Sequence, residues 1–346
     1  MQTITINQMK SVVSHIAMRM KMPVMVWGKP GVGKSEGMAQ AAAEVDGILI
    51  DIRLSQYDSV DLRGIPVPDS EEELTIWHAP STLPFKSNPR YNTITKPIFL
   101  FLDEINGGTL AVQAAAYQLV NDRGIGEHRL MDNVYVVAAG NREGDKGVTN
   151  RMPLPLANRF VHVEVDLSVE ELSAHFTKIG LPPVLVAFLN FRKQLVSTFD
   201  PTRPDKAFAT SRTWEKAGRI FADDTMPQAI KEIGICGAVG DGPASEFLGF
   251  VDVWHKVVPI REIIKDPLGC PIPQEMSMLY ATAMNVSGSL DPKKPTEVDA
   301  LHAYLKRMDD EFVVLAWKMA LTRDNDLLET DAFLDLSKVY RGVLAN

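Results

Sequence analysis

The segment Gly28-Lys-Pro-Gly-Val-Gly-Lys34-Ser35 places three glycines, a lysine and a hydroxyl at the spacing G-x-x-x-x-G-K-[ST], a pattern suited to cradling phosphate. Glycines at 28, 31 and 33 let the backbone turn tightly with its N–H groups inward, onto a helix N-terminus that already favours anions. The candidate ligand contacts are Gly28, Pro30, Gly31, Val32, Gly33, Lys34, Ser35 and Glu36. Lys34 would reach the outer phosphates as a point charge, and the Ser35 hydroxyl would complete the shell of a bound magnesium ion. The alternative is a glycine-rich turn that matches by chance. Context opposes it, because Pro23-Val-Met-Val-Trp27 reads as a buried strand and Glu36 to Val45 as a helix, the strand, loop and helix that the motif requires.

A second constellation follows about 70 residues on. Lys96-Pro-Ile-Phe-Leu-Phe-Leu-Asp103-Glu104 is an apolar strand that stops at two carboxylates. Asp103 could hold the magnesium shell and Glu104 could polarise a water for attack on a terminal phosphate. The next strand, Val134-Tyr-Val-Val-Ala-Ala-Gly-Asn141, also ends in a polar side chain. Ligands of open α/β sheets bind beyond the carboxyl ends of strands, so Asn141 falls where it could orient the water or touch the phosphate. A polar strand end facing solvent and a turn-forming Asn after Gly140 are the plain readings of each feature alone.

Positioning these residues requires a sheet. Val24 to Trp27, Ile48 to Ile52, Ile98 to Leu102, Val134 to Ala138 and Val161 to Val165 are five apolar runs without the alternation of a half-exposed strand, as expected of a parallel sheet covered on both faces. From Ser168, whose spacing to Glu171 resembles a capping box, the pattern turns helical. Helices are expected over 182–196, 212–221, 244–257, 275–284, 297–308 and 311–321, which places a domain boundary near 167. Asp200 to Asp205 and Ser287 to Pro295 read as exposed connections, and Gly234 to Gly242 as a loop or helix break. Residues 58–84 interrupt the first domain. Two short strands around acidic Asp69-Ser-Glu-Glu-Glu73 would form a projecting hairpin, with Trp77 and His78 as packing residues rather than ligands.

The chain has 346 residues, 45% of them hydrophobic and 23% charged, an ordinary globular composition with room for two domains. Cys236 and Cys270 show no metal-ligand spacing, so no disulfide framework or zinc site is expected and a reducing cytoplasm is the default. No signal peptide and no membrane-spanning run is read. A formal charge of -8 argues against a protein that coats nucleic acid.

Together the motifs resemble an AAA+ ATPase, and the strings between them resemble the MoxR-like branch. They are Gly28 to Ser35, Asp61-Leu-Arg-Gly64, Phe101-Leu-Asp-Glu-Ile-Asn106, Ala139-Gly-Asn141, Pro155-Leu-Ala-Asn-Arg-Phe160 and Thr210-Ser-Arg-Thr-Trp214. The resemblance covers residues 24 to about 220. It implies an α/β fold: a P-loop AAA+ core with a parallel five-stranded sheet over 1–167, then an all-helical lid and C-terminal helical extension over 168–346. It implies ATP and Mg2+ as ligands, with Lys34 and Ser35 as the Walker A pair, Asp103 and Glu104 as Walker B and Asn141 as sensor 1. Arg159 matches the arginine finger, with Arg151 the competing candidate and a surface cation paired with Glu143 or Asp145 the plain alternative. Arg212 resembles sensor 2. The family further implies a homo-oligomeric ring, usually a hexamer, a client protein that is remodelled or matured, and often a partner with a von Willebrand factor A domain. The hairpin at 58–84 corresponds to the insertion of this branch, facing the ring's pore or substrate. Two rival functions remain. A nucleic-acid motor would need a basic hairpin where this one is acidic, and a nucleotide-gated binding module would not need Glu104.

Overall fold

The computed structural model describes residues 2–344 apart from 70, 72, 73, 143, 145–149 and 204. The strands are β1 (Thr3–Ile4), β2 (Val24–Trp27), β3 (Ile48–Arg53), β4 (Ile65–Asp69), β5 (Leu74–His78), β6 (Ile98–Asp103), β7 (Gly124–Ile125), β8 (His128–Arg129), β9 (Val134–Gly140) and β10 (Val161–Val165). Between them lie α1 (Ile6–Val12), which continues as a π-helix over Val13–Arg19, then α2 (Lys34–Glu44), α3 (Ser59–Arg63), α4 (Leu110–Asn121) and α5 (Leu154–Ala157). Six strands form one parallel sheet in the order β1-β10-β2-β9-β6-β3.

Strand β6 explains why this sheet reads as unbroken apolar runs. Successive side chains point to opposite faces, and both faces are covered. Phe99 and Phe101 pack with Met9, Val13, Met38 and Ala41 on the side of α1 and α2. Ile98, Leu100 and Leu102 pack with Val112, Ala115 and Leu119 of α4 on the other. All six residues of β6 are buried.

The sheet has six strands rather than five. The sixth, β1, is two residues long and pairs Thr3 with Glu164 and Ile4 with Val165, too short to leave a periodic signal. The expected hairpin is present as antiparallel β4–β5. Its turn residues 70, 72 and 73 lie outside the described residues. Trp77 and His78 are exposed, Trp77 to 43%, so they do not pack into a core as expected. A two-stranded ribbon has no second layer to cover it.

The described residues of 1–167 and 200–203 form one compact unit, and those of 168–199 and 205–344 a second. The second is helical throughout its described residues, with α6 (Val169–Lys178), α7 (Pro183–Phe191), α8 (Ser211–Ala222), α9 (Gln228–Val239), α10 (Asp241–Trp254), α11 (Ile260–Lys265), α12 (Met276–Ser289), α13 (Pro295–Leu305), α14 (Asp310–Arg323) and α15 (Asp331–Leu344). Phe188, Trp214 and Phe247 meet edge-on at one centre, and Tyr304, Phe312 and Trp317 fill another. The helix break read at Gly234 to Gly242 falls at Gly240, whose φ of 88° no L side chain adopts easily, with helix on both sides of it. One expectation is corrected. Helix α12 runs on to Ser289, and Ser287 is buried with its carbonyl accepting from Arg323, so the exposed connection is shorter than read. No helix of the described residues is long and apolar enough to cross a membrane.

Candidate nucleotide site

Register brings the ends of four strands level: Trp27 lies opposite Gly140, Leu102 opposite Ala138 and Asp103 opposite Arg53. The loop after β2 therefore emerges beside the polar ends of β9 and β6. Gly31 and Gly33 take φ of 75° and 97°, and Gly33 caps α2, so the loop closes onto the helix N-terminus as its glycines require.

Lys34 is buried, and its Nζ donates to the carbonyls of Gly28 at 2.7 Å and Lys29 at 3.1 Å and to Asn141 Oδ1 at 3.2 Å. An ammonium can only donate, which fixes the oxygen of the Asn141 amide toward it. Ser35 Oγ donates to Asp103 Oδ2 at 2.8 Å, and Asp103 Oδ1 accepts the Glu104 N–H at 2.8 Å. Glu104 itself sits in the left-handed region at φ 52°, unusual for a side chain of its size. Its carboxylate accepts a hydrogen bond from Ser55 Oγ, in the turn after β3.

Asn141 is held from behind. Its N–H donates to Asn106 Oδ1 at 3.3 Å, while Asn106 Nδ2 donates to the Asn141 carbonyl at 2.8 Å. The next residue, Arg142, pairs with Glu164 of β10 at 2.6 Å. The backbone at Asn141 is thus pinned on two sides and its side-chain amide is left to reach the loop. Trp27, the last residue before the loop, donates through Nε1 to His162 Nδ1 at 2.9 Å and stacks on that ring. His162 Nε2–H in turn donates to the Ala157 carbonyl at 2.7 Å, which links the strand that launches the loop to α5.

Asp51, Asp103 and Glu104 gather negative charge at this end of β3 and β6. Burial first, and then the Asp103 and Glu104 carboxylates, push the Asp51 carboxyl up, while Arg53 opposes them. A cation placed there would relieve that repulsion. Among the described residues no cluster of three His, Cys, Asp or Glu could hold a metal by itself. Magnesium does not need one, since it binds through one or two protein oxygens together with phosphate. Ser35 Oγ and Asp103 Oδ2, already in contact, fit that requirement.

Of the remaining residues singled out in the sequence, Pro30 and Val32 lie in the loop, and Glu36 is exposed on α2, accepting from Gln40. Arg159 follows α5, is exposed, and donates to Tyr117 Oη at 3.4 Å. It makes no hydrogen bond to Lys34, Asp103 or Glu104. Glu143 and Asp145 lie outside the described residues; Arg151 is exposed. Arg212 is the second residue of α8, exposed, behind a Thr210 cap in the second unit. Sequence reasoning assigned no role to Ser55, Asn106 or Asp51. Asn106 lies two residues past the acid pair; Ser55 carries no local signal, being one hydroxyl after a strand.

Counted from the strand before the phosphate loop, the five long strands lie in the order fifth, first, fourth, third, second, with the acid pair ending the third and Asn141 following the fourth. This is an open parallel α/β sheet whose carboxyl edge carries the glycine-rich loop, the acid pair and Asn141 together. The sequence matches no family model. Among solved structures, the chain is similar to a provisionally named ATPase from Cytophaga hutchinsonii, at 12% identity over 91% of this chain and 79% of that one, TM-score 0.35. It is similar also to NtrX from Brucella abortus, at 15% identity over 89% of this chain and 69% of that one, TM-score 0.41. NtrX in complex with ATP matches at 12% identity over 99% and 68%, TM-score 0.40.

Proposed function

We propose that this protein is a Mg-ATP-hydrolysing AAA+ machine of MoxR type that works as a homo-oligomeric ring on a partner protein. The observation that carries the reading is the pair of contacts from the loop: Ser35 to Asp103 at 2.8 Å and Lys34 to Asn141 at 3.2 Å. Groups from three separate strand ends converge where phosphate would lie. Lys34 donates to backbone carbonyls and to Asn141; a bound phosphate would offer the same ammonium a charged acceptor. Ser35 and Asp103 would hold Mg2+, which supplies charge neutralisation across the outer phosphates when bound. Glu104 accepts a proton from the attacking water, and Asn141 orients it. Ser55 holds the Glu104 carboxylate aside until that acceptor is needed.

Arg159 supports the assembled form of the proposal. A guanidinium that is exposed and makes no bond to its own site is available to a neighbour's, where it would stabilise the transition-state charge. Asp61-Leu-Arg-Gly64 and the hairpin after it are the basis for the MoxR branch, and with it for a client that is remodelled or matured. The test is magnesium-dependent ATP hydrolysis per subunit across a wide range of protein concentration, with particle mass measured in parallel. A rate that climbs with assembly supports a site completed in trans. A rate independent of particle mass removes Arg159 from that role.

A further inference from the structure

Strands β6 and β9 pair as far as Leu102 opposite Ala138, and the ladder between them ends there. Glu104 turns the chain with its φ of 52°, and the short helical turn Ile105–Gly107 follows, closed by the Gly107 N–H donating to the Glu104 carbonyl at 2.7 Å. That turn delivers Asn106 to the backbone of Asn141. A side-chain amide carries an acceptor and a donor in one plane, the same groups that a peptide unit offers. Asn106 uses both: Oδ1 accepts the Asn141 N–H at 3.3 Å and Nδ2 donates to the Asn141 carbonyl at 2.8 Å. The Asn106 amide thus stands in for the ladder that the two strands have lost.

The fit is close and dry. Asn106 is 2% exposed, and its own carbonyl accepts the Asn150 N–H at 2.6 Å. Asn150 Nδ2 and Gln113 Nε2 both donate to the Gly108 carbonyl, at 2.9 and 3.1 Å, which holds the end of the turn. A Cβ on Gly140 would stand 2.7 Å from Asn106 Oδ1 and 2.8 Å from Met25 Cε, so the residue before Asn141 has no room for a side chain. An apolar residue in place of Asn106 would leave the Asn141 N–H and carbonyl without these bonds. Beyond the clamp, Asn141 Oδ1 is taken by Lys34 Nζ, which leaves Nδ2 as an amide donor with no partner among the described residues. One turn therefore sets Glu104 and the Asn141 amide relative to each other.

We propose that Asn106 is a positioning residue for ATP hydrolysis: its amide clamps Asn141 at a fixed place relative to Glu104, so that the group that orients the water and the group that takes its proton stay in register. It acts through Asn141 and not on the substrate. The inference rests on the proposed function and adds to it a residue without which Mg-ATP still binds but turnover fails. A displacement of about 1 Å at such a group costs on the order of 10²-fold in rate. A buried amide with both bonds made is the kind of polar contact that rigidifies its surroundings.

The test uses the full chain and two substitutions of similar size. Asn106→Leu removes both bonds, whereas Asn106→Asp keeps the acceptor and sets a carboxylate oxygen against the Asn141 carbonyl. Protonating that carboxyl restores the donor, and burial favours the protonated form. The charged groups around the position are Asp103 and Glu104 at the start of the same turn, Lys34 across Asn141, and Arg142, which is paired with Glu164. Near neutral pH both variants should lose about 10²-fold in kcat, with KM for Mg-ATP within about threefold of the natural protein's. From about pH 8 to about pH 6, Asn106→Asp should regain at least about tenfold relative to the natural protein at each pH, and Asn106→Leu nothing. Without nucleotide, hydrogen exchange at the Asn141 amide should quicken at least about tenfold in Asn106→Leu. Should substitutions at this buried position misfold, Gly140→Ala leaves Asn106 in place but crowds its Oδ1, and it should lower kcat with the same unchanged KM. A natural kcat in Asn106→Leu, a loss that falls on KM, no recovery of Asn106→Asp at low pH, or unaltered exchange at Asn141 would overturn the proposal. A natural protein that hydrolyses no Mg-ATP would strike the function beneath it, and exchange at Asn141 tells that failure apart from failure of the clamp.

Discussion

The carboxyl end of the sheet and the centre of the helical unit both bury polar side chains, and the two do so for different ends. At the sheet, Lys34 and Ser35 bond to groups that phosphate and a metal ion could displace or share. In the helical unit, His302 of α13 accepts from Trp317 Nε1 at 3.3 Å and faces Asp335 of α15 at 3.4 Å, while Lys306 holds Asp335 at 2.8 Å. No ligand chemistry gathers around that second group; its bonds tie α13, α14 and α15 to one another. The lesson is that a buried charge beside exchangeable partners marks a site, whereas a buried polar group with fixed partners marks a joint. Changes at the first should alter turnover more than melting, and changes at the second the reverse.

The largest expected effect is on Arg159→Ala in the assembled protein. Turnover should fall by about 10³-fold if the guanidinium serves a neighbour's site, with melting temperature unchanged, because the side chain is exposed and, among the described residues, bonds Tyr117. Mixing it with Glu104→Gln subunits should restore part of the rate, since each supplies what the other lacks. Next comes Lys34→Ala. Mg-ATP should raise the melting temperature of the natural protein, as any ligand of the folded state does, and should leave this variant's unmoved. A ligand-induced shift that survives in Lys34→Ala would break the contrast between exchangeable and fixed partners.

At the joint, His302→Ala should cost about 2 kcal/mol by stranding the buried Trp317 N–H and opening a cavity, read by denaturant melts, with ATP hydrolysis per folded subunit retained. The same joint predicts a pH dependence. Burial pulls the His302 imidazole below its ordinary value, against the opposite pull of Asp335. The unfolded chain then binds a proton that the folded one resists, so stability is full above about pH 6.5 and declines as pH falls below it. His302→Gln should flatten that decline. The smallest effect is for Ser55→Ala, which frees the Glu104 carboxylate: a few-fold change in basal hydrolysis without loss of nucleotide binding, on the scale of one hydrogen bond.

How much of this is legible in the sequence depends on whether the signal is local. Gly28 to Ser35 and Ile98 to Glu104 are contiguous strings whose chemistry and flanking elements travel together, so the loop, the acid pair and their strands could be named from residues alone. Ser55 and Asn106 act across strand ends, and a single hydroxyl or amide after a strand looks like any turn residue. The helix break read over 234–242 could be placed only to the stretch, not to the residue. Gly237 meets open space and Gly234 only the Ile220 side chain, so both sit comfortably in α9, and only Gly240 requires a conformation that ends a helix. The joint at His302 and Trp317 joins residues 15 apart on different helices, and no spacing announces it.

The most direct measurement is Glu104→Gln assayed for both nucleotide binding and turnover. Glutamine keeps the shape and a hydrogen-bond acceptor but cannot take a proton from water. The account predicts that Mg-ATP still binds and still raises the melting temperature, while hydrolysis falls by orders of magnitude and ATP stays intact on the protein. Hydrolysis that continues at the natural rate, with binding unchanged, would contradict it and take Glu104 out of the reaction.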